Sequence, residues 1–314
     1  MKVLVFDPGY GDVKCAFVDT DSAEGMRLFK FPTLVTQARG GLDFGERGGR
    51  GEIIWSGESW LVGEEAVRVG KVRDTTTNEF LKKHLPLLLG RALLDVEGKV
   101  DEVVMAVSLY DWPRRNHFKQ MAEKVTVNDQ SFTHKVRLIP QGYGIWLECL
   151  APGDGVIVDI GFRTVDVLVF VDGEPDGRRS FGIAGLGVRD FISDAAKILS
   201  DRSRVEFLPG EVAHFLQRND PVFRRFGVEE EIRTQKEEWS ARLWNMLTAR
   251  DDFMRAMALT GSVLIAGGGA RFFIRPPSEE IPEGIDLQIL KDAPEFANVR
   301  GFAKSLLEAD GEEK

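Results

Sequence analysis

Two stretches of this chain, 152 residues apart, are built alike. Asp7 aligns with Asp159, Gly9 with Gly161, Tyr10 with Phe162 and Val13 with Val165. Each copy follows an apolar run, Lys2–Phe6 or Val156–Val158, and precedes a second one, Val13–Val18 or Val165–Val171. Either match alone is weak. Together they describe one unit used twice: strand, acidic turn, strand. A duplicated unit predicts two similar lobes, each presenting its turn to a shared cleft, because ligand sites favour domain interfaces. The length agrees, since 314 residues exceed what one compact core holds. The turn cluster Pro152-Gly153-Asp154-Gly155 marks the boundary. Lobe I is therefore expected over residues 1–150 and lobe II over 151–295. A final helix over 296–307 is expected to pack back on lobe I, followed by a frayed tail from Glu308 to Lys314.

The turns carry the chemistry. A tight turn containing glycine exposes backbone N–H groups that form an anion-binding nest, and a missing Cβ lets a phosphate approach closely. Both turns open on a carboxylate, Asp7 or Asp159. Two carboxylates facing a polyphosphate repel it unless a cation lies between. Mg²⁺ suits this role because it keeps several waters and takes few protein ligands. Asp7 and Asp159 thus read as a Mg²⁺–nucleotide pair acting mostly through water, although either alone reads as an ordinary turn aspartate. Lys14 lies in the second strand, where a lysine is costly unless it reaches water or an anion. It is a phosphate ligand or a solvent-facing strand residue. Gly267, Gly268 and Gly269 end a third strand, Ser262–Ala266. They let the backbone pass flat against a base or ribose, or they mark a close helix–strand crossing.

The remaining pattern mixes strands and helices. Residues 2–18 and 52–62 read as hairpins, and Met26–Val35 as a strand broken by Pro32. Asn78–Asp95 reads as a helix that Pro86 should kink or split. A strand over Asp101–Leu109, a helix over Arg114–Lys124, a short strand over Val136–Ile139 and a helix over Tyr143–Leu150 follow. Residues 187–255 are mostly helical, with Glu229–Glu231 and Glu237–Glu238 expected on wet faces. Trp239 and Trp244 sit five apart, which does not put them on one helical face.

Composition removes several classes. There are 41 basic and 50 acidic residues, a net charge of −9, which argues against broad DNA or membrane binding. Two cysteines exclude a disulfide framework and a Cys-rich zinc site. No apolar run approaches the ~20 residues that span a bilayer, and the first run is too short for a signal segment. A cytoplasmic protein is expected. None of His84, His117, His134 and His214 pairs at metal-ligand spacing. There is no Gly-x-x-x-x-Gly-Lys-Ser/Thr loop and no Gly-x-Ser-x-Gly elbow.

The three motifs together resemble the actin-like ATPase superfamily, and within it the ParM/StbA-type filament proteins of bacteria and archaea. Phe6-Asp7-Pro8-Gly9-Tyr10-Gly11-Asp12-Val13-Lys14 looks like the first phosphate motif, with its lysine at the actin-type spacing. Val158-Asp159-Ile160-Gly161-Phe162-Arg163-Thr164-Val165-Asp166 looks like the second, and Leu264-Ile265-Ala266-Gly267-Gly268-Gly269-Ala270 like the adenosine motif. The late segment Phe296-Ala297-Asn298-Val299-Arg300-Gly301-Phe302 fits the same group. The resemblance spans nearly the whole chain, loosely over 40–75 and 200–255. It implies an α/β, ribonuclease H-like duplicated fold of two lobes with a nucleotide cleft between them. It further implies an ATPase that takes ATP or GTP with Mg²⁺ and polymerises head to tail, for plasmid segregation or a cytoskeletal role. Gly9, Tyr10, Gly11, Asp12 and Lys14 would hold phosphates, as would Gly161, Phe162, Arg163 and Thr164. Gly267–Gly269 and Ala270 would border the adenosine. Asp7 and Asp159 would organise the metal.

Two departures stand out. Plasmid ParM proteins carry a glutamate just upstream of an Ile-Pro-x-Gly-Tyr segment, where it handles the attacking water. Here Arg137-Leu138 precede Ile139-Pro140-Gln141-Gly142-Tyr143, with no acid. Gln141, 18 residues before Asp159, is near the spacing of actin's own glutamine and is the candidate that orients water. Its plain alternative is a cap for the helix starting near Tyr143. The second departure is Phe162-Arg163, where many relatives carry small residues. Gly45-Glu46-Arg47-Gly48-Gly49-Arg50-Gly51 is short and lacks aromatics, so it reads as a mobile surface loop and filament contact rather than a nucleic-acid segment. The acidic balance means that a DNA-segregation role would need an adaptor protein. The rivals are a small-molecule kinase of the superfamily, with Asp101 or Asp111 as base, and a non-polymerising regulatory ATPase.

Overall fold

The computed structural model describes residues 1–22, 25–38, 52–69 and 78–312. The glycine- and arginine-bearing segment Gly45–Gly51 lies outside the described residues. The chain divides into two compact units, Met1–Cys149 with Phe296–Lys314, and Leu150–Glu295.

The first unit begins with β1 (Lys2–Pro8) and β2 (Asp12–Asp19), an antiparallel pair that sets Asp7 opposite Lys14. β3 (Met26–Pro32) ends at Pro32, and β4 (Val35–Gln37) resumes in a separate small sheet with β5 (Glu52–Trp55) and β6 (Glu58–Val62). Helices α1 (Glu64–Val69) and α2 (Asn78–Leu94) lead to β7 (Glu102–Val107). Then come α3 (Arg115–Glu123), β8 (Lys124–Val127), β9 (Gln130–Thr133), β10 (Lys135–Pro140) and α4 (Tyr143–Cys149). The main sheet has five strands in the order β10-β7-β1-β2-β3, with β10, β7 and β1 parallel. Val3, Leu4, Val5 and Phe6 are all fully buried, as an uninterrupted apolar run requires of a strand covered on both faces. One face is covered by the C-terminal helix Ala297–Glu312, whose Val299, Phe302 and Ala303 join Val3, Val5 and Val104 in one core. Helix α2 also lies against β1.

Three features differ from the sequence expectation. Pro86 neither ends nor splits α2. An internal proline costs about 3 kcal/mol, but Leu85, Leu87, Leu88 and Leu89 are wholly buried. At about 2 kcal/mol each, their burial outweighs it. The C-terminal helix runs to Glu312 rather than fraying after Leu307, in keeping with the helix-forming Glu308 and Ala309. The β8–β9 hairpin was not anticipated. Its turn, Asn128-Asp129, takes left-handed φ values of 48° and 59°, the geometry of a two-residue hairpin loop.

The second unit repeats the plan. It contains β11 (Gly155–Ile160), β12 (Thr164–Val171), β13 (Glu174–Pro175) and β14 (Phe181–Ala184). Helices α5 (Arg189–Ser203), α6 (Pro209–Arg218), α7 (Val222–Arg225), α8 (Glu229–Thr248) and α9 (Asp251–Thr260) follow. β15 (Ser262–Ala266) and β16 (Asp286–Ile289) complete it. β11 pairs antiparallel with β12 as β1 does with β2, and β12 with β14 as β2 does with β3. β15 lies parallel to β11 and β16 to β15, matching β7 and β10. The duplication read from two short turns thus extends to the topology of both sheets. Both tryptophans of α8 are buried, their indole N–H groups 3.3 Å from the carbonyl of Gly187 (Trp239) and 3.4 Å from that of Glu280 (Trp244).

Candidate functional site

In the first unit, β1, β7 and β10 are parallel, so their C-terminal ends converge. That edge is where open α/β sheets bind ligands. Asp7 stands at the end of β1 and is 4 % exposed. Lys14 Nζ lies 3.9 Å from Asp7 Oδ2, and the Gln141 side-chain amide donates to Asp7 Oδ1. Gln141 directly follows β10, and its backbone N–H donates to the carbonyl of Val107 at the end of β7, 2.9 Å away. Three strands therefore deliver a carboxylate, an ammonium and a carboxamide to one spot. Gln141 directs its side chain to Asp7 rather than to the end of α4.

The turn between β1 and β2 is held from outside. Thr33, fully buried, donates its hydroxyl to the Gly9 carbonyl at 2.6 Å and its N–H to the Gly11 carbonyl at 2.9 Å. A Cβ on Gly9 would lie 2.5 Å from Lys14 Nζ, so glycine there gives the ammonium its place over the turn. Tyr10 is buried and donates its phenol to Asp111 at 3.4 Å, which leaves its backbone as the part offered to a ligand. Asp12 pairs with Lys30 at 3.9 Å. Burial, reinforced by the Asp7 charge, pushes the Cys15 thiol well above its ordinary range. The two aspartates weighed as kinase bases are otherwise placed. Asp111 is buried beside Tyr10 and Arg114, and Asp101 accepts from the Lys2 N–H at the far end of β1. Sequence reasoning missed Thr33. Its one signal was a small hydroxyl residue directly after the strand-ending Pro32.

In the second unit Asp159 is 9 % exposed on β11, opposite Asp166 of β12 and Ala266 of β15. The turn after it is closed by Gly161 N–H donating to the Thr164 carbonyl at 2.9 Å. The loop before α5 buttresses it: Val188 N–H donates to Gly161, and Arg189 N–H to Phe162. Gly187 is pressed so close that a Cβ would lie 2.4 Å from the Phe162 carbonyl oxygen. Phe162 itself packs on the core of this unit. The glycine strip after β15 seats against the same turn. Gly267 has φ +81°, and a Cβ there would lie 2.1 Å from Asp159 Oδ1. A Cβ on Gly269 would strike Ile160, whose carbonyl accepts the Gly269 N–H at 2.8 Å. These two glycines are required by the protein's own β11. Gly268 has ordinary room. Ala270, buried, opens the turn that carries Arg271 and Phe272.

A cavity of about 500 Å³ lies in this unit beside that turn. Arg271 and Phe272 line it from the glycine strip, Arg233 and Lys236 from α8, and Lys291 from the segment after β16. Arg271 is ion-paired with Glu295. Burial holds the Lys236 ammonium below the ordinary lysine range. Glu229 lines it too, and Arg233 is ion-paired with Glu230 and Glu237; such a mixture of aromatic, aliphatic and charged walls suits a flat, hydrogen-bonding ring. Arg233, Lys236 and Lys291 were missed from sequence, although a basic pair three apart on one helix face was visible.

Among the described residues there is no group of three or more metal-ligating side chains. The candidates are hard carboxylate oxygens, Asp7 in one unit and Asp159 in the other. Each offers the hard oxygen donors that suit Mg²⁺, an ion that keeps most of its waters and takes few protein ligands. No described helix is long and apolar enough to cross a membrane.

A doubled sheet of this topology, each copy with an acidic glycine turn at the same edge, is the two-lobed α/β fold of actin type. The chain belongs to the actin-like proteins: residues 6–144 match the family model for the N-terminal domain of actin-like proteins, and 157–275 match that for the C-terminal domain of MreB-like archaeal actin homologues. An archaeal actin homolog of Thermoplasma volcanium is 30% identical over 176 residues, 52% of either chain. The match thus spans about half the length of that relative. Among solved structures, a ParM from Clostridium botulinum in a 15-stranded filament superimposes with a TM-score of 0.66 at 19% identity, over 97% of this chain and 99% of that one. The archaeal actin homolog Ta0583 in complex with ADP gives 0.63 at 21%, over 98% and 100%. At these identities the likeness is one of fold.

Proposed function

We propose that this protein binds and hydrolyses ATP with Mg²⁺ and assembles head to tail with copies of itself. The observation that carries the catalytic part is the convergence of Asp7, Lys14 and Gln141 at the ends of β1, β2 and β10. The turns at Gly9–Asp12 and Gly161–Thr164 present backbone to the phosphates beyond the Gly9 and Gly161 N–H groups, which close the turns on the Asp7 and Thr164 carbonyls, and Lys14 adds a cation. The nucleoside enters the cavity beyond Gly267–Ala270. Asp7 and Asp159 would hold Mg²⁺ mostly through its waters, and the ion would supply charge neutralisation on the phosphate oxygens. Asp7 is a pure acceptor, so it commits the amide nitrogen of Gln141. The carbonyl oxygen is then the end that accepts a hydrogen bond from the attacking water. A glutamine orients that water and need not take its proton.

Assembly is supported by the fold shared with a filament-forming ParM. A head-to-tail contact whose rotation does not close generates a filament. The net charge of −9 makes an adaptor the expected route to any DNA cargo.

Sedimentation and light scattering with Mg²⁺–ATP, alongside phosphate release, test both halves. Polymer is expected to form with Mg²⁺–ATP and to decline as phosphate appears. No pelleting across a wide range of protein and salt would remove the assembly claim and leave the ATPase standing. Gln141→Ala is expected to slow phosphate release about 100-fold with nucleotide affinity changed less than threefold. Equal loss of both would reduce Gln141 to a structural residue.

A further inference from the structure

The water-orienting role of Gln141 requires that its backbone be fixed, and α4 cannot do this from its own sequence. Gly142 is the N-cap of α4, its carbonyl accepting the Trp146 N–H at 3.2 Å. Its own N–H then needs an acceptor. In a capping box a Glu or Gln at the third helical position supplies one, but here that position is Ile145. The acceptor comes instead from the other end of the chain. Asn298, in the first turn of the C-terminal helix and 4 % exposed, takes the Gly142 N–H on Oδ1 at 2.9 Å.

We propose that Asn298 is a positioning residue for Gln141, acting through the Gly142 amide. The inference rests on the water-orienting reading of Gln141. The peptide joining Gln141 to Gly142 is planar, so fixing the Gly142 N–H fixes ψ of Gln141. The Gln141 N–H is already tied to Val107. With both flanking peptides held, the side chain leaves in one direction, towards Asp7. Asn298 is itself immobilised. The C-terminal helix crosses α4 so closely that a Cβ on Gly301 would lie 1.8 Å from the Gly144 carbonyl oxygen. Glu148 accepts from Arg300 at 2.6 Å and from Lys304 at 2.9 Å along the same seam.

The test compares Asn298→Ala, Asn298→Asp, Gln141→Ala and the double variant Gln141→Ala/Asn298→Ala in the full chain. Asn298→Ala is expected to lower kcat for phosphate release about tenfold, as small misplacements of a catalytic group do, with nucleotide affinity within about twofold. Asn298→Asp keeps the acceptor oxygen and should restore most of kcat. The double variant should be no slower than Gln141→Ala within about twofold, because the second change acts on a side chain already gone. Amide hydrogen exchange without nucleotide supplies a readout apart from turnover: Gly142 should lose protection in the Ala variant and keep it in the Asp variant. Unchanged Gly142 exchange, a full additional tenfold loss in the double variant, or parallel loss of binding and turnover would overturn the proposal. Normal turnover in Gln141→Ala would instead remove the reading of Gln141, and the role of Asn298 with it.

Discussion

The two turns share a scaffold and differ in what faces their aspartate. Opposite Asp7 across the ladder stands Lys14; opposite Asp159 stands Asp166, at the position equivalent to Lys14. Side chains directly opposite in an antiparallel pair interact, favourably for unlike charges and unfavourably for like ones. The first unit therefore balances its carboxylate from within, with Lys14 and Gln141. The second sets two carboxylates opposite each other, with Arg163 in the turn between them. The supports differ too. A threonine side chain ties the first turn, whereas the second is wedged between two glycine-bearing loops, at Gly187 and at Gly267–Gly269. Duplication kept the strand pairing and left the electrostatics free to diverge.

The sharpest way to break this comparison is to add one methyl group at each site, within the first turn and in the glycine strip seated against the second. Gly267→Ala places a Cβ against Asp159 and the Ile160 carbonyl at a left-handed φ. It should cost about 3–4 kcal/mol, read as a fall of about 10 °C in thermal midpoint, with loss of nucleotide binding. Gly9→Ala meets the movable end of Lys14 along with the Asp12 carbonyl. It should cost about 1–2 kcal/mol while depressing turnover. A reversed order of midpoints would contradict the view that the second turn is the more rigidly packed.

Next in size, Lys14→Met removes the charge opposite Asp7. ATP affinity should drop about tenfold, measured by titration, and the thermal midpoint should fall modestly because the buried Asp7 loses its counter-charge. A large stability loss with intact affinity would make Lys14 a structural counter-ion instead of a phosphate ligand.

The smallest effect concerns Lys236. Burial lowers its proton affinity in the folded state, so the unfolded chain holds that proton to higher pH. Stability from this group therefore rises with pH through the window just below the ordinary lysine value. Lys236→Met should flatten that rise in pH-dependent thermal melts and weaken nucleotide binding modestly. An unaltered slope would exclude the lysine as its source.

How much of this could be read beforehand depended on the length scale. The offset between Asp7 and Asp159 was legible because a strand–turn–strand unit is local, and local units leave contiguous patterns. It located both turns and implied the doubled architecture. Spacing and resemblance single out Gln141, but its partner Asp7 lies 134 residues away and only the sheet reveals the meeting. The roles of Thr33, Gly187 and Asn298 were hidden for the same reason: each acts on backbone that is distant in sequence, although Thr33 follows the strand-ending Pro32 and Asn298 lies in the late segment that carries the resemblance. Pro86 misled because its penalty is local while the leucine burial that overrides it is tertiary. The β8–β9 hairpin was overlooked for want of a glycine, since Asn128-Asp129 makes the turn without one.

The closing helix also bears on how the protein is made. Residues 1–149 leave the ribosome first, yet Val3, Val5 and Val104 share their core with Val299, Phe302 and Ala303. At ~5–20 residues per second the ribosome needs roughly 10–30 s to travel from the end of α4 to that helix. The contiguous second unit is made in that interval, while the first waits with an apolar seam uncovered. Nascent chains stalled before residue 296 are thus the form most exposed to chaperones and to aggregation.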